Sequence, residues 1–338
     1  MTDISGLILL PRLKVQNANA ISGPLTWGFP SPTAFAGFVH ALERKFSAEL
    51  NEGFAGVGII CHQFDPQVFQ PPGRRTQVFR LTRNPVGKDG GTMALVEEGR
   101  AHMEVSLLIA VKDYLPESEG QYFADQVHNS AQGMRLAGGS LLPQEGQRYR
   151  AQWWPLAGDV EGDAATFRKL RRRLLPGFAL VQRDDLLAEH LAELRQTAPQ
   201  SHALDALLDL SRLNIEPIAK KSDDPAQPDQ ISWEVRRKPG WLVPLPIGYA
   251  SISKLYAPDE VENARDSTTP FRFVESLYSL GQWLSPHRLD SLKQLLWTQE
   301  TDADNGIYRC TNRYSETLAE STTKSLTNIT NSKEQHHG

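Results

Sequence analysis

Cysteine is almost absent from this 338-residue chain: Cys61 and Cys310 are the only two, at no spacing that suits a metal. That excludes a disulfide framework and fits a reducing cytoplasm. No apolar run approaches the roughly 20 residues needed to span a bilayer. The opening MTDISGLILLPRLKV lacks the basic start and long apolar stretch of a secretion signal. Enzyme signatures are missing too, with no HExxH, G-x-S-x-G, Walker loop, strand-linked G-x-G-x-x-G or CxxC. A positive excess is also lacking, because the formal net charge is -4, which argues against a free-standing, non-specific binder of nucleic acid. One local absence points elsewhere. No Asp or Glu occurs from Ile4 through Leu42, nor from Pro66 through Lys88, where Arg74, Arg75, Arg80, Arg83 and Lys88 all lie. Acids gather instead in 156–230 and around 257–266. One cationic face is expected, with the others acidic or neutral.

What is present reads as an α+β protein. Hydrophobic residues at 40% and charged residues at 22% are ordinary for a globular chain with a sizeable core. GLILLPRLKV, within 5–15, reads as a strand, and the Gly/Pro-rich QNANAISGPLTWGFP follows it. Ser31 is then an N-cap and Pro32 an N1 proline. Phe35, Phe38, Val39, Leu42 and Phe46 form one helical stripe. A strand is expected at 54–62, then an arm turning at Lys88-Asp89-Gly90-Gly91, a hairpin signal, and feeding a core strand within 92–111. Tyr122, Phe123, Val127 and Met134 mark the face of a second helix. Gly138-Gly139 should break it before a last strand. The order β-α-β-hairpin-β-α-β is the split βαβ, ferredoxin-like arrangement of RNA-recognition folds. Residues 160–215 read as helical, and KKSDDPAQPDQ, 220–230, as an exposed linker. WLVPLPIGYASI has strand character, with helices expected at 270–284 and 287–298. From about residue 311 the chain has few large apolar groups and is expected to be disordered.

The candidate chemistry is mostly that of anion binding. His40 and His62 each suit a general base for RNA cleavage, although lone histidines are more commonly satisfied surface or core groups. A helix opening at Pro32 would offer amides near Thr33 and Ala34 to a phosphate. Gln16, Asn17 and Asn19 both donate and accept, as base-edge readout requires, and Trp27 could stack on a base. The plainer alternative is a tight turn with Trp27 buried. The arginines at 74–83 fit either an RNA contact or a solvated hairpin. Gly138-Gly139 fits either a helix end or a close phosphate approach. The basic runs Arg171-Arg172-Arg173 and Arg236-Arg237-Lys238 read first as solvated surface. Together these signals favour a binding protein.

Three long strings, LPRLKVQNANAISGPLTWGFPSPTAFAGFVHAL, GMRLAGGSLLP and NARDSTTPFRFVESLYSLGQWLSPHRL, closely resemble the Csy-two family. These are the Cas-five-type subunits of the type I-F CRISPR surveillance complex, the Csy complex. The resemblance spans roughly residues 5 to 300. It implies a modified ferredoxin-like, RNA-recognition (RAMP-type) fold with a β-hairpin thumb, a helical insertion and a C-terminal α/β extension. On that reading 1–155 is the core with its thumb at about 66–100. Residues 156–230 are the helical insertion and linker, 231–310 the extension packing on the core, and 311–338 a disordered tail. The resemblance implies a non-catalytic, cytoplasmic subunit without cofactor or metal that holds the 5′ handle of the crRNA. It would pair with the large Cas-eight-type subunit and abut a Cas-seven-type backbone subunit. It would meet target double-stranded DNA through the assembled complex and be exposed to phage anti-CRISPR proteins. An alternative is a crRNA-processing endoribonuclease of the Cas-five type, with His40 or His62 as base. Within the matching strings, Arg12, Gln16, Asn17, Asn19, Trp27 and Ser31 become the handle-binding junction. Arg74, Arg75, Arg80 and Arg83 belong to the thumb, and Arg135 with Gly138 and Gly139 to a glycine-rich loop. Arg265 and Arg272 would close the site from the C-terminal side. The aromatic octet of stacking RNA-recognition domains is missing, so sheet-face stacking is not expected.

Overall fold

A computed structural model describes residues 4–83, 86–93, 95–220 and 230–320. Its first strand, β1 (Gly6–Asn19), is apolar on both faces at its start because both faces are covered. Helix α1 (Pro32–Lys45) starts as the sequence predicts: Ser31 caps it, proline opens it, and Arg44 and Lys45 sit in the last turn, at the negative end of the dipole. There follow β2 (Phe54–Pro66), β3 (Arg100–Val111), α2 (Glu117–Gln132), β4 (Gly139–Leu142), β5 (Gln152–Pro155), α3 (Val160–Arg173), β6 (Phe178–Gln182), α4 (Asp184–Thr197) and α5 (Ala203–Ser211). The last long strands are β7 (Trp241–Ser251), β8 (Val274–Leu284), β9 (Leu296–Asp302) and β10 (Ile307–Asn312).

These strands form one antiparallel sheet in the order β4-β1-β3-β2-β6-β8-β7-β10-β9. The short strand Arg135–Leu136 lies outside β4, and β5 also pairs with β1. The sheet then closes on itself. β9 returns to β2, with Leu296 opposite Gly58 and Trp297 opposite Val57, so β2, β6, β8, β7, β10 and β9 make a ring. Helices α1 and α2 cover one face of β1-β3-β2, packing Phe35, Leu42, Phe123 and Val127 on Ile8, Leu10, Ile59, Leu107 and Ile109. Helix α3 covers part of the other face through Phe167 and Leu170 against Leu7, Leu9, Ile60 and Leu108. Each such fully buried side chain contributes about 1.5–3 kcal/mol. Past a β-bulge between Leu10 and Leu13, that second face carries polar groups, and Lys14, Gln16, Gln63, His102 and Glu104 line a shallow cavity of about 340 Å³.

Several expectations need correction. The helices expected at 270–284 and 287–298 are β8, two short 3-10 turns (Pro286–Arg288, Leu292–Gln294) and β9. β8 sits between β6 and β7 and is buried on both faces along its second half, so its apolar spacing carries no two-residue alternation. The helical reading of 160–215 is interrupted by β6, which follows Pro176-Gly177. Helix α2 ends at Gln132 with Gly133 as its C-cap, and Tyr122 points to solvent. The turn between Arg135–Leu136 and β4 is instead Ala137-Gly138, and Gly139 opens β4 opposite Leu136. The arm is two short ladders rather than one hairpin: Val68–Phe69 with Val78–Phe79, and Leu81–Arg83 with Leu95–Glu97. The Lys88–Gly91 turn is there, closed by Gly90 N–H on Gly87 O at 2.9 Å. Ile215–Lys220 pairs with Gln230–Val235, so the two ends of the expected linker, Lys220 and Gln230, lie in strands, and 221–229 lie outside the described residues. Order continues past 311: β10 reaches Asn312, and a helix over 314–320 begins with buried Tyr314. Residues 321–338 lie outside the described residues.

Candidate nucleic-acid interface

Three segments far apart in sequence meet at the C-terminal end of β1. Asn19 N–H donates to Ala137 O at 2.8 Å, which ties β1 to the Ala137-Gly138 turn. Ala20 N–H donates to Gly99 O at 2.8 Å, at the base of the arm. Gln67 Nε2 donates to Asn17 Oδ1 at 2.5 Å, and Arg80 N–H donates to Gln67 O at 3.1 Å. Asn17 has φ 57, Ala137 φ 49 and Gly138 φ 75, so left-handed backbone is concentrated here. Gln16 pairs with Ser140, which in turn pairs with Arg135. Trp27, exposed at 57%, sets its ring edge-on to Phe79, centroids 5.4 Å apart. The structure therefore brings Gln16, Asn17, Asn19, Trp27, Arg80, Arg135, Gly138 and Gly139 into one neighbourhood. Arg80 and Arg135 are exposed and carry no ion pair among the described residues.

The two glycines differ. A Cβ on Gly139 would meet Ala18 N and Gln16 O at 2.7 Å, so that glycine permits close β1–β4 packing. Gly138 has no neighbour among the described residues within 4 Å of such a Cβ.

Other candidates lie elsewhere. Ser31 is buried, its Oγ accepting from Thr33 N–H at 3.1 Å and donating to Pro246 O at 2.8 Å. Ala34 N–H is bonded to Ser31 O at 3.0 Å, so the amides expected to be open at Thr33 and Ala34 are taken. Arg74 and Arg75 are exposed beyond the Val68–Phe69 ladder. Arg83 closes the second ladder, and its side chain lies outside the described residues. Arg272 Nη1 donates to Ala303 O at 3.2 Å, holding the β9–β10 turn, and Arg265 is exposed. No contact joins either to the junction among the described residues.

Arg12 faces the sheet side that α3 partly covers. It has φ 49, Nη1 lies 2.5 Å from Glu104 Oε1, and its N–H donates to Ser106 Oγ at 2.9 Å. His62 Nδ1 lies 2.5 Å from Pro176 O and must donate to it, which leaves Nε2 to accept from Ser106 Oγ at 2.6 Å. Burial pushes the His62 pKa down, consistent with a neutral ring whose two nitrogens are both spent. His40 lies on α1, 3.5 Å from Glu43. Burial pushes the Cys61 thiol up to about 12 and that of Cys310 to about 11.

Sequence reasoning missed Gln67 and His102. Asn17 N–H points at His102 Nδ1 at 3.3 Å, and Gln67 Nε2 reaches His102 Nε2 at 3.2 Å. No local motif marks this pair; strand register alone brings it to Asn17.

The class of protein follows from comparison with known families. Residues 8–310 match the family model described as CRISPR-associated protein (Cas_Csy2). A CRISPR-associated protein Csy2 from Pseudomonas aeruginosa (strain UCBPP-PA14) is 56% identical over 313 residues, covering 91% of this chain and 96% of that relative. The chain is thus a CRISPR-associated protein of defence. It belongs to the Csy2 family, a Cas component of the Csy complex. No helix among the described residues is long and apolar enough to cross a membrane.

Proposed function

We propose that this chain is the non-catalytic subunit that seats the 5′ handle of the crRNA in the cytoplasmic type I-F surveillance complex. There it would pair with the large Cas-eight-type subunit and adjoin a Cas-seven-type subunit, and meet target double-stranded DNA through the assembled particle. One observation carries the reading: the β1 end, the Ala137-Gly138 turn and the base of the arm converge, with exposed Arg80, Arg135 and Trp27 around amide-rich Gln16, Asn17 and Asn19. Cations placed beside base-edge donors and a stackable indole suit a short single strand. The strand order β4-β1-β3-β2, with α1 and α2 on one face, supports the ferredoxin-like, RNA-recognition reading of 1–155. The absence of a catalytic role is supported by His62, whose ring nitrogens both hold structural bonds.

The test is reconstitution of the complex with Arg80→Glu and Arg135→Glu combined. Handle RNA should bind less tightly, with a salt slope flatter by about 0.7 per lost phosphate contact, and crRNA occupancy should fall. Full occupancy with an unchanged slope overturns the proposal. Repeat RNA incubated with the purified complex should stay intact; cleavage lost in His40→Ala or His62→Ala would refute the non-catalytic assignment.

A further inference from the structure

The bulge in β1 carries Arg12 away from the junction and into a separate concavity of about 340 Å³. Arg148 and Gln147 from the 3-10 turn Gln147–Tyr149, Gln152 of β5 and Arg173 at the end of α3 complete its polar lining. We propose that this pocket seats one backbone phosphate of a nucleic acid strand, a second contact distinct from the junction.

Three features argue for it. First, three guanidinium groups from three separate segments line one cavity, and no carboxylate among the described residues lines it. Gathering like charges is unfavourable unless an anion neutralises them. Second, Glu104 answers only one amino group of Arg12, and Arg148 and Arg173 have no ion pair among the described residues. Arg148 lies over the Tyr149 ring, 4.6 Å from its centroid, which holds the guanidinium in place and leaves its fork of donors for a phosphate. Third, Gln147 and Gln152 add neutral donors, while the rest of the lining is apolar residues of β1. A phosphodiester needs no more than this. Arg12 is five residues from Asn17 on the same strand, a span of at most roughly 16 Å at the rise of a β-strand. A single strand leaving the junction along the open sheet face would reach the pocket. The inference rests on the reading that the chain works inside a nucleic-acid complex, but not on where the handle sits.

The experiment uses the reconstituted complex carrying Arg148→Ala and Arg173→Ala, both exposed, with Arg12 kept because it braces β1 and β3. Binding of synthetic handle RNA and of target double-stranded DNA is measured across salt concentrations. A slope flatter by about 0.7 in the RNA arm assigns the phosphate to the guide; one flatter by about 0.9 in the DNA arm alone, with crRNA occupancy unchanged, assigns it to the target. Arg172→Ala, on the same helix but outside the pocket, should alter neither slope. Unchanged slopes in both arms for the double variant overturn the proposal. The junction reading fails separately, at Arg80 and Arg135.

Discussion

Asn19 hands its backbone N–H to Ala137, and the strand that follows that turn lies so close to β1 that Gly139 has no room for a side chain. The adjacent glycine is unlike it, because Gly138 needs only its positive φ of 75 and borders open space. Gly138→Ala should therefore cost about 1–2 kcal/mol, the strain of left-handed backbone. Gly139→Ala must move backbone atoms of Gln16 and Ala18, and overpacking of this kind costs about 1–3 kcal/mol. The two separate in function: the Gly139 change should shift β1 and weaken RNA retention, whereas the Gly138 change should lower stability alone. Urea midpoints and crRNA occupancy of both variants check this.

Trp27 and Phe29 are two residues apart and should behave oppositely. Phe29 packs against Phe35, Phe64 and Trp283, with centroids 5.4, 5.8 and 4.9 Å away. Among the described residues, Phe79 is the one aromatic ring that Trp27 touches, and Trp27 is mostly solvated. Phe29→Ala is expected to destabilise the fold by about 3 kcal/mol. Trp27→Ala should stay within about 1 kcal/mol in stability yet weaken handle binding by about 1–3 kcal/mol, the worth of one stacked base. Unaltered RNA affinity in a folded Trp27→Ala variant would remove the indole from the site.

Asp209 gives a pH dependence. It is buried beneath His190, Arg212 and Arg236, accepting from His190 Nε2 at 2.8 Å and Arg212 Nη2 at 2.7 Å, and also from Arg236 Nη2. Burial alone would raise its pKa, but these partners outweigh burial and hold it at about 2. A carboxyl depressed in the folded state contributes stability that is complete above its unfolded value, near 3.9, and lost as pH falls through the folded value. Asp209→Asn should therefore be less stable than the unaltered chain at pH 7, by on the order of 2 kcal/mol. That gap should shrink between about pH 4 and pH 2. Urea midpoints of both proteins across that range read it, and a gap that does not narrow on acidification contradicts the assignment.

The legible parts of the fold were those fixed by local chemistry. Ser31-Pro32 starts α1 where capping and proline geometry demand, and Trp241–Ser251 is a strand as its β-branched and aromatic residues suggest. What misled was burial on both faces. VESLYSLGQWL places Val274, Leu277, Tyr278 and Leu284 at helix-like intervals, but the second half of β8 is enclosed from both sides, so alternation disappears. β6 is similar: Phe178-Ala-Leu-Val is a continuous apolar run after Pro176-Gly177, a break that deserved a strand. At the candidate site, residue types pointed to Asn17, Asn19 and the arm. Register placed Gln67 and His102 beside them and a bulge sent Arg12 elsewhere; neither leaves a mark in local sequence.

The ring of six strands makes its own prediction at Trp297. This indole is fully buried where β9 rejoins β2, and its Nε1 donates to Leu180 O at 2.9 Å, bridging from β9 to β6. Gly56 of β2 is part of the same fit, since a Cβ there would meet Trp297 O at 2.6 Å. Trp297→Ala removes both the volume and the bridge and is expected to cost about 3–5 kcal/mol. Trp297→Phe keeps most of the ring but leaves Leu180 O without its side-chain donor, a loss of about 1–3 kcal/mol. Guanidinium midpoints of the two variants should therefore fall in that order. If Trp297→Ala costs less than about 1 kcal/mol, β9 is not locked against β2 in solution, because a well-packed closure cannot lose its largest buried side chain so cheaply.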